Sequence, residues 1–129
     1  MADSKEILHT RVSEIYLKDD IYRVIIKDDA HVMLPDAEEI IATILKINGG
    51  TLLPVFIDIR KIKMISWEAR KYFASDDRPR VGTVVAIIVG SSTTRVIGNF
   101  FLGLNKPSYP LRIFSSEIDA VNWLKGHSK

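Results

Sequence analysis

Asp58 and Arg60 stand two residues apart at the end of the apolar run Leu52-Leu53-Pro54-Val55-Phe56-Ile57. Ser66 and Trp67 open the amphipathic segment that follows. A carboxylate at the end of such a run either caps the turn and pairs with Arg60, or marks the edge where α/β proteins meet their ligands. A serine opening a helix either accepts a backbone N–H, which contributes about 1 kcal/mol, or serves as a phosphoacceptor. A phosphate on Ser66 would bring about −2 charge close to Arg60, Lys61, Lys63 and a helix N-terminus. A second candidate is Gly90-Ser91-Ser92-Thr93, followed by Thr94 and Arg95. Its hydroxyls and amides could receive an anion or simply cap a helix. It is no P-loop, because no lysine follows a second glycine at the required spacing.

Other chemistry lacks its parts. His9, His31 and His127 have no partner at metal-ligand spacing, and cysteine is absent, so metal, thiol and disulfide chemistry find no foothold. No serine sits in a nucleophile elbow. The pairs Asp19-Asp20, Asp28-Asp29 and Asp76-Asp77 read as solvated turn acids. We therefore expect no catalytic residues, no cofactor and no enzyme. Arg60, Lys61, Lys63, Arg70, Lys71, Arg78 and Arg80 are interleaved with Trp67, Tyr72 and Phe73. That mixture suits nucleic acid, but the aromatics are equally spaced to fill a core, and a net charge of +2 gives no strong field. Nucleic acid is accordingly disfavoured as a partner.

Elements must hold these residues in place. Val12–Leu17 has strand composition, Asp19-Asp20 suits a tight turn, and Ile21–Lys27 alternates, so the two segments form an antiparallel hairpin with one wetter face. Asp28–His31 reads as a loop. Pro35, Asp36, Glu38 and Glu39 suit a helix start. Ile40, Ile41, Ile44, Leu45 and Ile47 follow at helical spacing, and Asn48-Gly49-Gly50 is a stop. Leu52–Ile57, ending at Asp58, and Val84–Val89 are apolar runs and read as central strands. Lys61–Ile65 belongs to the turn before the Ser66 helix, which ends ahead of Pro79. A helix with Val96, Ile97, Phe100, Phe101 and Leu104 on one face closes at Asn105-Lys106-Pro107. Tyr109–Phe114 is a last strand, and Ser115-Ser116-Glu117 caps a final helix through Ile118, Val121, Trp123 and Leu124.

The implied fold class is α/β: a single domain over residues 1–129, ordered β-β-α-β-α-β-α-β-α. Its five-stranded, mostly parallel sheet is laid down in chain order, with the first strand antiparallel. Residues 1–10 form a loose lead-in. A chain of 129 residues with 47% hydrophobic and 26% charged side chains supports one soluble core. The first residues carry acids and lack a signal-peptide core. No apolar run approaches the roughly 20 residues that span a bilayer. A cytoplasmic location without a membrane span is expected.

This element order, with Asp58 ending one strand and Ser66 opening the next helix, resembles the STAS domain of sulfate-transporter tails and anti-sigma-factor antagonists. The resemblance runs from about Ser13 to Leu124. In the antagonists a strand-end Asp is followed by Asp-Ser-Ser/Thr-Gly, whose serine a partner kinase phosphorylates. Here Asp58 matches the strand-end Asp, and the later motif falls on Ser66, Trp67, Glu68 and Ala69. Trp67 occupies the phosphoacceptor position, and Ser66 lies one residue early. The resemblance implies a diverged stand-alone bacterial domain, with the lipid-binding Sec14-type domain a looser relative.

Three functions follow. The first is a non-enzymatic regulatory module presenting the Asp58–Lys71 edge to a protein partner or small anionic ligand. The second is a carrier holding a lipid or other apolar molecule near Phe56, Trp67, Phe100 and Phe101. The third is a phospho-switched antagonist. If the helices gather on one side of the sheet, a second copy could cover the other, giving a homodimer.

Overall fold

The computed structural model of the protein describes residues 6–103 and 109–127. Its strands are β1 (Leu8–His9), β2 (Ser13–Lys18), β3 (Ile21–Ile26), β4 (Ala30–Val32), β5 (Leu53–Asp58), β6 (Ile62–Ile65), β7 (Gly82–Ile88) and β8 (Leu111–Phe114). Its helices are α1 (Leu34–Ile47), α2 (Trp67–Ala74), α3 (Ser92–Gly103) and α4 (Glu117–Gly126).

The main sheet has the order β1-β2-β3-β5-β7-β8, so the expected chain-order arrangement is present. β2 and β3 are antiparallel across Asp19-Asp20, both with φ near +55° (54° and 58°). Two positive φ values make the primed turn whose twist matches that of the flanking strands. From β3 onward every pairing is parallel. β5 and β7 lie inside the sheet, as their unbroken apolar sequence requires.

Three short strands add to the five expected. β1 extends the antiparallel edge within the presumed loose lead-in. It is held by a tight corner in which the Thr10 amide donates to the Ser13 carbonyl at 2.9 Å and the two hydroxyls meet at 2.7 Å. β4 and β6, expected as loop and turn, pair with each other in a separate parallel ribbon. The ribbon buries Ala30, Val32, Ile62 and Ile65. It continues into α2 through the Ser66 amide, which donates to the Val32 carbonyl at 2.9 Å. Residues 1–5 of the lead-in, Leu104 and the expected helix end at Asn105-Lys106-Pro107 lie outside the described residues.

The layers are unequal. The larger core lies under α1, α2 and α3 and includes Val24, Ile41, Ile44, Val55, Ala69, Ile87 and Ile97. The smaller lies under α4 alone and includes Ile21, Phe56, Val84, Ala86, Ile88, Ala120 and Leu124. Strand alternation assigns the faces: Ile57 enters the first core, while Phe56 and Asp58 point to the α4 side. Arg23, expected on the wetter face of the hairpin, is buried there at 7% exposure, with its guanidinium 5.5 Å from the Phe56 ring centroid. β7 begins at Gly82, where a Cβ would sit 2.8 Å from Val55 Cγ2 of the neighbouring strand, so the close approach of β5 favours glycine there.

α1 is positioned by a contact that its sequence pattern does not reveal. Asp36 accepts from the Met33 amide at 2.9 Å and from Arg11 Nε at 2.8 Å, and pairs with Arg11 Nη2. Arg11 also donates to the His31 carbonyl. One carboxylate therefore joins the β1–β2 corner, the ribbon and the start of α1. The Arg11 hydrogen bonds hold the Asp36 carboxyl below the usual carboxylate range, against the opposing effect of its burial.

Candidate functional site

β5 delivers Asp58 to the carboxyl edge of the sheet, where it pairs with Ile25 on one side and Ile88 on the other. Asp58 is buried. Its Oδ1 accepts from the Arg60 amide and from Arg60 Nε, both at 3.0 Å, and Oδ2 accepts from Arg60 Nη2 at 2.7 Å. Arg60 Nη2 reaches a second carboxylate, Glu117 Oε1 at the start of α4, at 3.3 Å. The Asp58 hydrogen bonds come first among the causes that raise the Arg60 pKa. The Arg60 stem lies on Gly90, where a Cβ would be 3.2 Å from Arg60 Cγ. Asp58, Arg60, Gly90 and Glu117 thus form one knot tying β5, the β7–α3 turn and α4 together. With two carboxylates on it, Arg60 has little charge left for an external anion. Beside the knot, on the α4 side, is an open cleft of about 630 Å³ bordered by Glu14, Lys27, Asp28 and Lys61. Its charges are mixed and favour neither sign.

The β7–α3 turn is closed from within. Thr94 Oγ1 accepts from the Gly90 and Ser91 amides, each at 2.9 Å, and donates to the Ser91 carbonyl at 3.1 Å. Ser91 Oγ accepts from the Thr94 amide at 3.1 Å. Two of the amides that an anion would need are therefore already engaged. Ser91, Ser92 and Thr93 are exposed at the surface, whereas Thr94 is buried. Thr94 is the residue that organises this turn, and a hydroxyl three residues past Ser91 was the available signal for it.

Ser66 and Trp67 lie on the other side of the sheet. Ser66 is the N-cap of α2, with Oγ accepting from the Ala69 amide at 3.1 Å and 9% of its surface exposed. The hydroxyl of the candidate phosphoacceptor is turned into its own helix. Trp67 does the opposite, at 55% exposure. Its indole stands edge-on to Phe100 of α3, with centroids 5.5 Å apart and ring planes at 74°. Phe100 in turn meets Phe101 edge-on at 5.4 Å. The Arg70 guanidinium lies 5.0 Å from the Phe100 centroid. Val96, one turn before Phe100 on α3, is 64% exposed, and Met64 on β6 is exposed at 37%.

The eight candidate residues therefore form two groups. Asp58, Arg60 and Gly90, with Ser91, Ser92 and Thr93 next in the chain, belong to an internally satisfied knot and cap. Ser66 and Trp67 belong to a partly apolar surface shared by α2 and α3, to which sequence reasoning did not assign Val96. Among the described residues no three His, Asp or Glu side chains are grouped to hold a metal ion. No described helix is long and apolar enough to cross a membrane.

Residues 15–128 match the family described as "Domain of unknown function (DUF7793)". No curated protein matches the sequence. Among solved structures, the chain is similar to an uncharacterised protein of the DUF3478 family with a SpoIIAA-like fold from Shewanella loihica PV-4. The TM-score is 0.52 at 17% identity, over 95% of this chain and 92% of that one. The fold is therefore SpoIIAA-like, the architecture of the STAS resemblance. A protein of unknown function from Arthrobacter sp. FB24 matches with TM-score 0.34 at 28% identity, over 91% of this chain and 95% of that one.

Proposed function

We propose that this chain, which belongs to the DUF7793 family, is a regulatory binding module that acts by occupancy rather than turnover. It presents the Asp58–Lys71 edge and the adjoining face of α3 to a protein partner. The observation that carries this reading is Trp67, a large aromatic left mostly in water and braced edge-on by Phe100. Fully burying a large apolar side chain contributes about 1.5–3 kcal/mol, so an indole left this exposed is a reserve for association. Tryptophan is also enriched among the residues that dominate interface energies. Met64 on β6 and Val96, one turn before Phe100 on α3, are exposed as well.

The surrounding charge describes the partner. From Asp58 to Lys71 there are five cations and two acids, a surplus of three, whereas the whole chain carries +2. Asp58 is already spent on Arg60. Lys63 and Lys71 are exposed, while Lys61 borders the cleft on the α4 side. The surface suits an acidic partner segment bearing an apolar anchor. A homodimer through the open half of the α4 face is less suited. That face presents Glu14, Lys18 and Lys27 around Tyr16 and Ile25, a mixed surface with little to bury.

The test is affinity enrichment from native extract with the intact chain, Trp67→Ala, and Ile118→Ala on the remote α4. A protein held by the intact chain and Ile118→Ala but lost with Trp67→Ala is expected. Repeating the measurement with that protein purified should show Trp67→Ala weakening it at least about tenfold, roughly 1.4 kcal/mol. Equal retention by Trp67→Ala would overturn the proposal.

A further inference from the structure

The α1–α3 side of the sheet is incompletely packed. A cavity of about 90 Å³ lies between the strands and the helices, bordered by Val55, Val85 and Ile87 of the sheet, Ile41 and Ile44 of α1, and Phe101 of α3. Its interior is apolar, so water entering it would find almost no partners. Polar groups occur only towards the start of β7, where Arg78, Arg80 and Tyr109 border it.

Among the described residues these two arginines, like Arg70, hydrogen-bond only to neutral groups. Arg78 donates from Nε to the Phe73 carbonyl at 3.0 Å, from Nη1 to the Pro79 carbonyl at 2.9 Å, and from Nη2 to the Tyr109 hydroxyl at 3.3 Å. Arg80 donates from Nε to the Gly82 carbonyl at 3.0 Å, with its guanidinium 5.8 Å from the Tyr109 ring centroid. Arg11, Arg23 and Arg60 each pair with an acid. Arg78 and Arg80 pair with none among the described residues, although Asp76 and Asp77 are close in sequence. A guanidinium offers five N–H donors in a fork that matches a carboxylate. Arg78 keeps two of its five donors and Arg80 keeps its Nη groups, so together they place an anion-binding head beside a dry apolar cavity that can take a hydrocarbon tail.

We propose that this cavity binds a small amphiphile of the medium-chain carboxylate class. Its carboxylate pairs with Arg78 and Arg80, and its chain runs in along Val85 and Ile87 beneath α1 and α3. Phe73 and Phe101 are only half-buried and can turn to widen the space as the chain enters. The arginines flank the start of β7, while Asp58 ends β5 and Trp67 follows β6, so the carboxylate head lies away from Trp67, although Ile59, Ile62 and Ile65 of the docking edge line the cavity.

Calorimetric titration of the full chain with octanoate, octanol and acetate tests it. Octanoate is expected to bind saturably, one per chain, with a negative heat-capacity change from apolar burial. Acetate, which has no tail, is expected to give no saturable heat. The double variant Arg78→Gln/Arg80→Gln should weaken octanoate at least tenfold and leave octanol unchanged. Ile97→Phe, which narrows the cavity, should abolish both. Circular dichroism confirms that each variant is folded, and should Ile97→Phe unfold, the arginine variant decides alone. Trp67→Ala should bind octanoate like the intact chain, so failure here is distinguishable from failure of the docking surface. No saturable octanoate binding at millimolar concentration, undiminished binding by the arginine variant, or tighter binding of octanol than of octanoate would each overturn the proposal.

Discussion

Removing the Asp36 carboxylate should destabilise the fold through a charge-assisted contact that pins α1. Its side chain is 6% exposed and accepts three hydrogen bonds, two from Arg11 and one from the Met33 amide. Hydrogen bonds to charged groups contribute about 1.5–3 kcal/mol each when removal leaves a buried partner unmet. Arg11 is 61% exposed, so its guanidinium recovers water once released and most of that value must be discounted. The Met33 amide at the helix start adds a capping loss of about 1 kcal/mol. Asp36→Ala should therefore cost about 2–3 kcal/mol in urea unfolding. Asp36→Asn keeps an acceptor for the Met33 amide and should cost about 1 kcal/mol less.

The pH dependence separates charge from packing. The folded carboxyl lies below its unfolded value, which is about 3.9. Between the two values the unfolded chain binds more protons, so stability from this group rises with pH across that window. It is fully present above the unfolded value and lost as pH falls through the folded one. The gap between the intact chain and Asp36→Asn should be full at pH 7 and shrink below about pH 4. A gap under about 0.5 kcal/mol at pH 7, within the range of ordinary surface substitutions, would refute the reasoning, as would a gap that does not change with pH.

Other substitutions probe the remaining supports. Thr94→Val removes the acceptor for the Gly90 and Ser91 amides. Both residues are exposed enough for water to substitute partly, so a loss of about 1–2 kcal/mol is expected in chemical denaturation, with Thr94→Ser close to the intact chain. Gly82→Ala forces a methyl to within 2.8 Å of Val55 Cγ2 between two central strands. It should lower stability by about 1–3 kcal/mol and broaden amide signals from β5 and β7. Trp67→Ala removes a mostly exposed ring and should change the unfolding free energy by less than about 0.5–1 kcal/mol, which makes it a clean probe of association.

The main sheet was legible because β5 and β7 carry unbroken apolar runs, the Asp19-Asp20 turn is local, and Asn48-Gly49-Gly50 ends α1 where a left-handed conformation is needed, with Gly49 at φ 62° and Gly50 at φ 81°. The β4–β6 ribbon was not. Its strands have three and four residues, its partners are parallel and some thirty positions apart, and no turn signal joins them. A separation of 25 residues likewise hid the Arg11–Asp36 pair. At the site, the Asp58–Arg60 pair and the Ser66 cap follow from local sequence. The engagement of Arg60 by Glu117 and the meeting of Trp67 with Phe100 depend on where separate helices land. The Gly90 turn is different: Thr94, three and four residues on, takes the Ser91 and Gly90 amides, a local signal that the anion-binding reading of its hydroxyls overlooked.

The most direct test places a photo-crosslinking amino acid at position 67 in living cells, with a matched substitution at Ile118, which is 74% exposed on α4. We predict one discrete protein adduct from position 67 and none from position 118. No adduct at 67, or the same adducts at both positions, would contradict the assignment of the Trp67–Phe100 surface as the place where this domain meets its partner.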